Sequence, residues 1–351
     1  MAKVKRNWFS RLSFAAAALT VSALLVISYV SVFINPERGW FFSLFGMLYM
    51  LFAFATLLFF LWALRLRSRM WLFLLIILLP AFHLAGRHIQ LRRAKSEEGA
   101  IKIVSYNVGL FGKFDIPKAE TADSIAAFLM SLDADVICLQ EVHLYNQTPT
   151  ESWLESSFPG YQAEYYFNTD NFGKSGNLTL SRYPVSGKGK FTFENSSNMA
   201  IYTDIVFPNG TYRLYNCHFE SYSISIPHLL TNVREEEELK DTGRKMRRSI
   251  RLRPSQVNMV LMDIESSDHK AIVLGDFNDT PLSYTYHRLS KGRKDSFVTA
   301  GDGFGSSFRD FWPLLRIDYI LLPDGLKAIS HKTLKKPYSD HYPIIVTCDE
   351  S

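Results

Sequence analysis

The sequence predicts an α/β domain carried behind a stretch of membrane-crossing helices. Two uncharged runs, Leu12–Ile34 and Trp40–Leu64, come first. After residue 100, short apolar segments alternate with segments of helical periodicity. Several of these apolar segments end in a carboxylate, an amide or an imidazole, where open α/β sheets tend to bind ligands.

Charge divides the 351-residue chain in the same place. Residues 1–99 hold 12 Lys/Arg and 3 Asp/Glu, a balance of +9. The remainder holds 27 (39 − 12) and 31 (34 − 3), a balance of −4. The basic excess therefore belongs to the N-terminal part. The mildly acidic remainder argues against a domain that grips nucleic acid through bulk charge. Cys138, Cys217 and Cys348 are odd in number and widely spaced, so they make neither a disulfide framework nor a zinc motif.

Each of the two uncharged runs meets the ~20 residues a helix needs to cross the bilayer core. Met70–Gly86 is a shorter third candidate and carries Pro80 and His83. The first run is too long for a cleaved signal peptide, and more apolar sequence follows it. Lys3, Lys5, Arg6 and Arg11 precede the first span, and Arg65, Arg67 and Arg69 precede the third. By the positive-inside rule both groups lie in the cytoplasm. Three spans then leave the large domain outside the cytoplasmic membrane, although Arg87, Arg92, Arg93 and Lys95 load that outer side with positive charge. If the third segment only dips into the bilayer, the large domain is cytoplasmic. The expected location is the cell inner membrane, multi-pass, with the domain on the periplasmic side. Residues 87–99, polar and without periodicity, read as a linker.

The organising stretch of the soluble part is Gly275–Asp276–Phe277–Asn278–Asp279. The apolar run Ala271–Leu274 reads as a buried strand that delivers a carboxylate and an amide two residues apart, on one side of an extended backbone. Asp276 could take a proton from water, and Asn278 could hold Asp276 or a phosphate oxygen. The same stretch alone also reads as an ordinary turn.

Upstream, Ile101–Asn107 is a strand ending in Asn107, and Ala119–Leu132 a helix. Asp135–Leu139 is a buried strand ending in Gln140–Glu141. A carboxylate at such an edge is costly unless a cation or donor meets it, so Glu141 suits a hard metal. Met199–Phe207 and Thr211–Cys217 form a hairpin around Pro208–Asn209–Gly210 and deliver Asn216 and His218. Arg234–Arg253 is a charge run: a solvated helix, or a basic lip for a phosphate backbone or an anionic membrane. Val257–Ile264 continues it as a helix packed under the Asp276 strand. Asp318, embedded in the apolar run Arg316–Leu322, needs a partner. His341, in Ser339–Asp340–His341 before the strand Ile344–Val346, would satisfy it and be held charged.

In this order Tyr106–Asn107, Gln140–Glu141, Asn216–Cys217–His218, Gly275–Asp276–Phe277–Asn278, Arg316–Ile317–Asp318–Tyr319 and Ser339–Asp340–His341 resemble the endonuclease/exonuclease/phosphatase superfamily over about residues 100–349. Gly176–Pro184 and Asp279–Thr280–Pro281 are similar to it too. The resemblance implies a deoxyribonuclease-like four-layer α/β/β/α sandwich and one or two Mg²⁺ ions, with Mn²⁺ as a substitute. Carried over, Glu141 is the principal metal ligand, with Asn107 close by and Asp340 on a second metal. Asp276 deprotonates or orients water that Asn278 positions. His341, oriented by Asp318, binds the scissile phosphate or assists the leaving oxygen, and His218 matches a catalytic histidine of the deoxyribonuclease branch. Preceded by about three transmembrane helices, the chain is similar to a bacterial membrane-anchored branch. The implied partners are a phosphoester substrate, nucleic acid or phospholipid, and the lipid bilayer; nothing points to a protein partner. The alternative is a catalytically inactive, membrane-tethered binding or scaffold domain of the same fold.

Overall fold

A computed structural model of the chain describes residues 2–91, 101–111, 118–171, 173–222 and 236–350. Four helices come first: α1 Ala2–Ser31, α2 Pro36–Met47, α3 Tyr49–Arg65 and α4 Met70–Ala85. Helices α1, α3 and α4 run up, down and up. Leu25, Val32, Tyr49, Leu78 and Ala81 meet at one end of this bundle, and Ala18, Ala63 and Leu74 further down. Polar groups inside it are bonded between helices, Ser28 to the Phe45 carbonyl and Tyr29 to the Ile77 carbonyl. Such bonds hold helices together where apolar burial alone gives no preference.

The uncharged run Trp40–Leu64 is not the single helix expected. It breaks at Leu48, and α2 and α3 meet at a 50° bend. The cause is tertiary: α2 leaves the bundle to lie against the long helix of the following domain. Gly46 permits this, since a Cβ there would collide with the Leu282 carbonyl oxygen. By length and composition one helix, Arg11–Ser31, can cross a bilayer, and the bent pair α2–α3 qualifies only as one joint span. At 16 residues α4 is short of the ~20 a crossing takes.

The rest of the chain gives β1 Ile89–Gln90, β2 Ile101–Asn107, α5 Lys118–Ser131, β3 Val136–Leu144, α6 Thr150–Ser157, β4 Gln162–Thr169, β5 Lys174–Ser181 and β6 Val185–Thr192. Then follow β7 Met199–Phe207, β8 Gly210–His218, α7 Glu236–Ser266, β9 Lys270–Asp276, α8 Tyr284–Leu289, β10 Arg293–Asp295 and α9 Ser296–Ala300. The chain closes with β11 Gly303–Phe304, β12 Asp318–Pro323, β13 Leu326–Thr333 and β14 Ile344–Glu350. Two six-stranded sheets form, in the orders β10-β12-β9-β8-β7-β6 and β13-β14-β2-β3-β5-β4. Within them β2/β3 and β8/β9 are parallel, joined over α5 and α7 respectively.

Three apolar layers hold the sandwich. Ile103, Val136, Leu214, Ile272, Ile320 and Val346 interdigitate between the sheets. Ile125 and Leu129 of α5 cover the outer face of one sheet through Val104, Ile137 and Leu139. Val257, Val260 and Leu261 of α7 cover the other through Tyr215, Val273 and Tyr319. This is the expected helix–sheet–sheet–helix sandwich. All three cysteines are free and buried. The charge run and Val257–Ile264 form one continuous helix.

The expected linker begins as part of the domain. Ile89–Gln90 pairs with Gly303–Phe304, and Gly305 donates to the His88 carbonyl. Arg92, Arg93 and Lys95 lie outside the described residues, as does Arg234. Arg316, fully buried, donates to the Arg87 carbonyl at 2.8 Å and to Asp295 at 2.5 Å. Asp295 also accepts from Tyr286 and caps α9 through Phe297 N. Burial works against a charged Asp295, but Arg316 overcomes it and holds the carboxyl below its usual range. A depressed folded value means this stabilisation is complete above the unfolded value of about 3.9 and is lost as pH falls through the folded one. Asp295→Ala, which strands a buried guanidinium, should cost about 3–5 kcal/mol at neutral pH. In thermal melts of the detergent-solubilised full chain, the gap between wild type and Asp295→Asn should be wide at pH 7 and narrow below about pH 4.

Candidate active site

Strand register assembles the site at one end of the sandwich. On one sheet His218, Asp276 and Asp318 are direct neighbours across β8, β9 and β12. On the other, Asn107 stands beside Gln140 where β2 and β3 end their pairing. Glu141 follows at a bulge, where β3 and β5 shift register between Leu139 and Val142, and it adopts φ +54°. A bulge redirects a side chain that strict alternation would send elsewhere. Asn278 also has positive φ, +51°. Such backbone is sparsely populated by residues other than glycine and persists where surrounding structure enforces it.

The two sheets meet through amides. Asn107 Nδ2 donates to Glu141 Oε1 at 3.1 Å and to Asp276 Oδ2 at 3.0 Å. Deeper in, Gln140 Nε2 donates to Asn216 Oδ1 at 2.7 Å, and Asn216 Nδ2 donates to the Leu139 and Leu178 carbonyls. Asn216 is therefore an inter-sheet clamp behind the site. Asp276 accepts from Asn278 N at 2.8 Å and from Asn278 Nδ2 at 3.1 Å. Gly275 has φ +118°, and a Cβ there would run into the Cys217 carbonyl, so the turn carrying Asp276 requires glycine.

His341 Nδ1 bonds Asp318 Oδ2 at 2.9 Å, and its Nε2 lies 3.7 Å from Asp276 Oδ2. Burial alone would lower the imidazole's pKa, but the carboxylates of Asp318 and Asp276 raise it to about 10. It is a cation at neutral pH, with Nε2–H directed toward the site. His218 Nε2 is 3.3 Å from Glu141 Oε1 and 2.9 Å from Asn198 Nδ2. Burial holds His218 below its ordinary value. One imidazole is thus charged and one neutral in the same pocket. Asp340 accepts from Ser339 Oγ at 3.1 Å, and its charge helps to raise Glu141. All eight residues singled out in the sequence converge here.

The donor set fits a divalent metal ion. Four carboxylates, of Glu141, Asp276, Asp318 and Asp340, face one cationic imidazole. Burial raises both Glu141 and Asp276 above the usual carboxylate range, as expected of anions gathered with too little positive charge. Among the described residues, Asp276, Asp318 and His341 bring ligand atoms within 4.8 Å of one another. A protonated His341 has no lone pair for a metal, however. The carboxylate of Glu141, with the Asn107 amide beside it, is the better place, because hard cations take oxygen ligands.

A model of the endonuclease/exonuclease/phosphatase family matches residues 104–341. The chain belongs to this family. Its members are generally hydrolases acting on phosphoesters. A second model, of a domain of unknown function, matches residues 10–87. No curated protein matches. Among solved structures, a functionally unknown conserved protein from Enterococcus faecalis is similar at 16% identity and a TM-score of 0.55, over 72% of this chain and 100% of that one. A family member from Beutenbergia cavernae is similar at 15% and 0.53, over 72% of each chain. A Bacteroides thetaiotaomicron mannosyl-6-phosphatase is similar at 17% and 0.51, over 71% of this chain and 99% of that one. At these identities the likeness speaks for the fold alone.

Asn198, which bonds His218 and the Phe219 carbonyl, escaped sequence reasoning, because Ser-Ser-Asn between two strands reads only as a turn. Ser307 likewise: its Oγ accepts from Ile317 N and Asp318 N and so sets the start of β12. The charge run is a partly solvated helix with internal pairs, Arg244 and Lys245 both meeting Asp241 on its exposed side. Arg253 is buried and paired with Asp279 at 3.0 Å, and Arg248 is paired with Glu220. Arg247 lies over the Trp40 ring of α2. Glu141→Gln should weaken Mn²⁺ binding by about tenfold or more, read from the loss of the free-ion paramagnetic resonance signal on titration.

Proposed function

We propose that the chain is a membrane-anchored, Mg²⁺-dependent phosphoesterase that hydrolyses phosphodiester bonds with water as the nucleophile. One observation carries this: Asn107 ties Glu141 and Asp276 together across the sheets, while His341 stands charged between Asp276 and Asp318. Acceptor, carboxylate base and cationic imidazole therefore share one phosphate-sized space.

Mg²⁺, or Mn²⁺ in its place, would be held by Glu141 with Asn107 beside it, and would supply positive charge to the phosphate oxygens. Asp340 is the candidate ligand for a second ion. Asp276 takes the proton of the attacking water, aided by a pKa that burial lifts toward neutrality. Asn278 fixes that carboxylate through two hydrogen bonds. The water oxygen bonds to phosphorus as the ester P–O bond opposite it breaks and the leaving oxygen takes a proton from solvent, while the His341 Nε2–H, beside Asp276, binds a non-bridging phosphate oxygen. Asp318 keeps the imidazole in register and charged. His218, neutral, offers the phosphate a neighbour that adds no negative charge.

The anchor rests on the outer surface of the bundle. Leu12, Leu19 and Val26 of α1, Leu51, Phe54 and Leu58 of α3, and Leu72, Ile76 and Leu79 of α4 are all exposed. A single-sided apolar patch marks a contact, whereas an apolar mantle on every helix calls for lipid. We read α1 and the α2–α3 pair as spans, and the shorter α4 as crossing with them because it packs against both along its length and shares their apolar outer face. Arg11, Arg65, Arg67 and Arg69 lie at the end away from the sandwich; by the positive-inside rule this supports a cytoplasmic place for that end and a periplasmic one for the sandwich.

Purified full-length protein should hydrolyse bis(p-nitrophenyl) phosphate with Mg²⁺ or Mn²⁺ and lose the activity to chelator. Glu141→Gln and His341→Ala should each lower the rate by about 10²–10⁴. Inertness toward a broad panel of phosphodiesters and phosphomonoesters, with either metal, would instead favour the scaffold alternative. A C-terminal alkaline phosphatase fusion should be active and a fluorescent-protein fusion dark; the reverse pattern moves the domain to the cytoplasm.

A further inference from the structure

We propose that the loop between β11 and β12 inserts into the lipid surface beside the anchor, so that the site acts on phosphoester groups of membrane lipids. This rests on the anchored-phosphoesterase reading above and adds its substrate class. Four large apolar side chains stand out on this one short segment: Phe304 is 47% exposed, Phe311 45%, Trp312 43% and Leu314 59%. Phe304 and Trp312 meet edge to face with ring centres 5.8 Å apart, so these two rings form one surface. Lys335 Nζ caps the Trp312 ring at 3.7 Å. An aromatic cluster with a lysine at its rim is the composition of a protein surface at the headgroup level of a bilayer.

β11 is hydrogen-bonded to β1, Phe304 standing opposite Ile89, and β1 begins four residues after α4 ends. Four residues of chain reach at most about 14 Å. Phe304 is thus fastened to the segment that leaves the bundle, and Leu91, 95% exposed, follows directly. A surface so tied to the end of α4 stands within about 14 Å of the bilayer in which the bundle is read to sit. Charge agrees: Lys335 over the Trp312 ring is a cation suited to anionic headgroups.

The same loop frames the catalytic groups. Phe308 bridges His341 through the backbone and lies edge-on to its ring at 5.1 Å. Arg309 N donates to the Asp340 carbonyl at 2.7 Å. Insertion of the loop's apolar tip therefore brings His341 and Asp340 to the headgroup layer. A lipid phosphoester reaches the site without leaving its bilayer, and water cleaves it as described above.

Two readouts test this on the full chain in proteoliposomes containing phosphatidylglycerol. First, brominated lipids should quench the fluorescence of wild type more than that of Trp312→Phe, the difference reporting ring 312 in the acyl–headgroup boundary. Equal quenching overturns the proposal whether or not the protein is an enzyme. Second, Phe304→Ser/Leu314→Ser should lower hydrolysis of phosphatidylglycerol in the liposomes by about tenfold or more, since each buried side chain contributes a large share of membrane affinity. Hydrolysis of soluble bis(p-nitrophenyl) phosphate should stay within about twofold. Parallel loss of both activities, unchanged lipid hydrolysis, or a loss confined to single-stranded DNA would each overturn it. If no substrate is cleaved, the phosphoesterase reading fails, and the quenching arm alone decides the loop.

Discussion

One amide holds the site together. Asn107, at the last position of β2, is bonded at once to Glu141 of its own sheet and Asp276 of the facing one. A buried carboxylate and a half-buried one would otherwise repel each other. Donating to both lets them stand a phosphate's width apart. The Gln140–Asn216 bond behind it fixes the spacing of the two sheets, so the edges of the sandwich cannot slide without losing buried hydrogen bonds. The positive φ of Glu141 and Asn278 belongs to the same construction. Local backbone preference is given up at the two residues whose aim matters most, and the packed sheets enforce it.

A second consequence follows from where the Asp276 strand goes next. Within six residues the chain passes from Asp276 through Asp279, clamped by Arg253, to Leu282, which packs among Leu25, Tyr49 and Leu78. Arg87 donates to the Pro281 carbonyl, and Arg316 holds the Arg87 carbonyl in turn. Bundle and sandwich are thus joined by buried contacts close to the chemistry rather than by a free tether. This joint also sets the β1–β11 pairing that fastens the aromatic loop.

Much of this was legible in the residues. Buried strands announce themselves by uninterrupted Val, Ile and Leu, and polar groups at their ends have few reasons to be there other than chemistry. Asn107, Glu141, His218, Asp276 and Asp318 could be named because each ends or opens such a run, and Asn278 and His341 because they stand near one; Asp340 was named only through the family resemblance. Asn198 and Ser307 could not, since each sits in a polar loop where serine and asparagine are commonplace. The charge run is in part the solvated, internally paired helix its pattern suggests, with Arg244 and Lys245 on Asp241; that Arg247 lies over Trp40, Arg248 meets Glu220 and Arg253 is buried on Asp279 depended on neighbours distant in the chain.

By itself the sequence determined the layers, the strand ends and the chemical nature of the site, because burial and periodicity are local properties of a chain. Only the tertiary structure decided that Trp40–Leu64 bends at Leu48, that residues after α4 join the domain, and that Phe304 and Trp312 share one exposed face. Those outcomes depend on contacts between residues far apart in the chain, such as Gly46 with Leu282 and Ile89 with Phe304. No local pattern encodes such contacts, since either partner alone would be at home in many other surroundings.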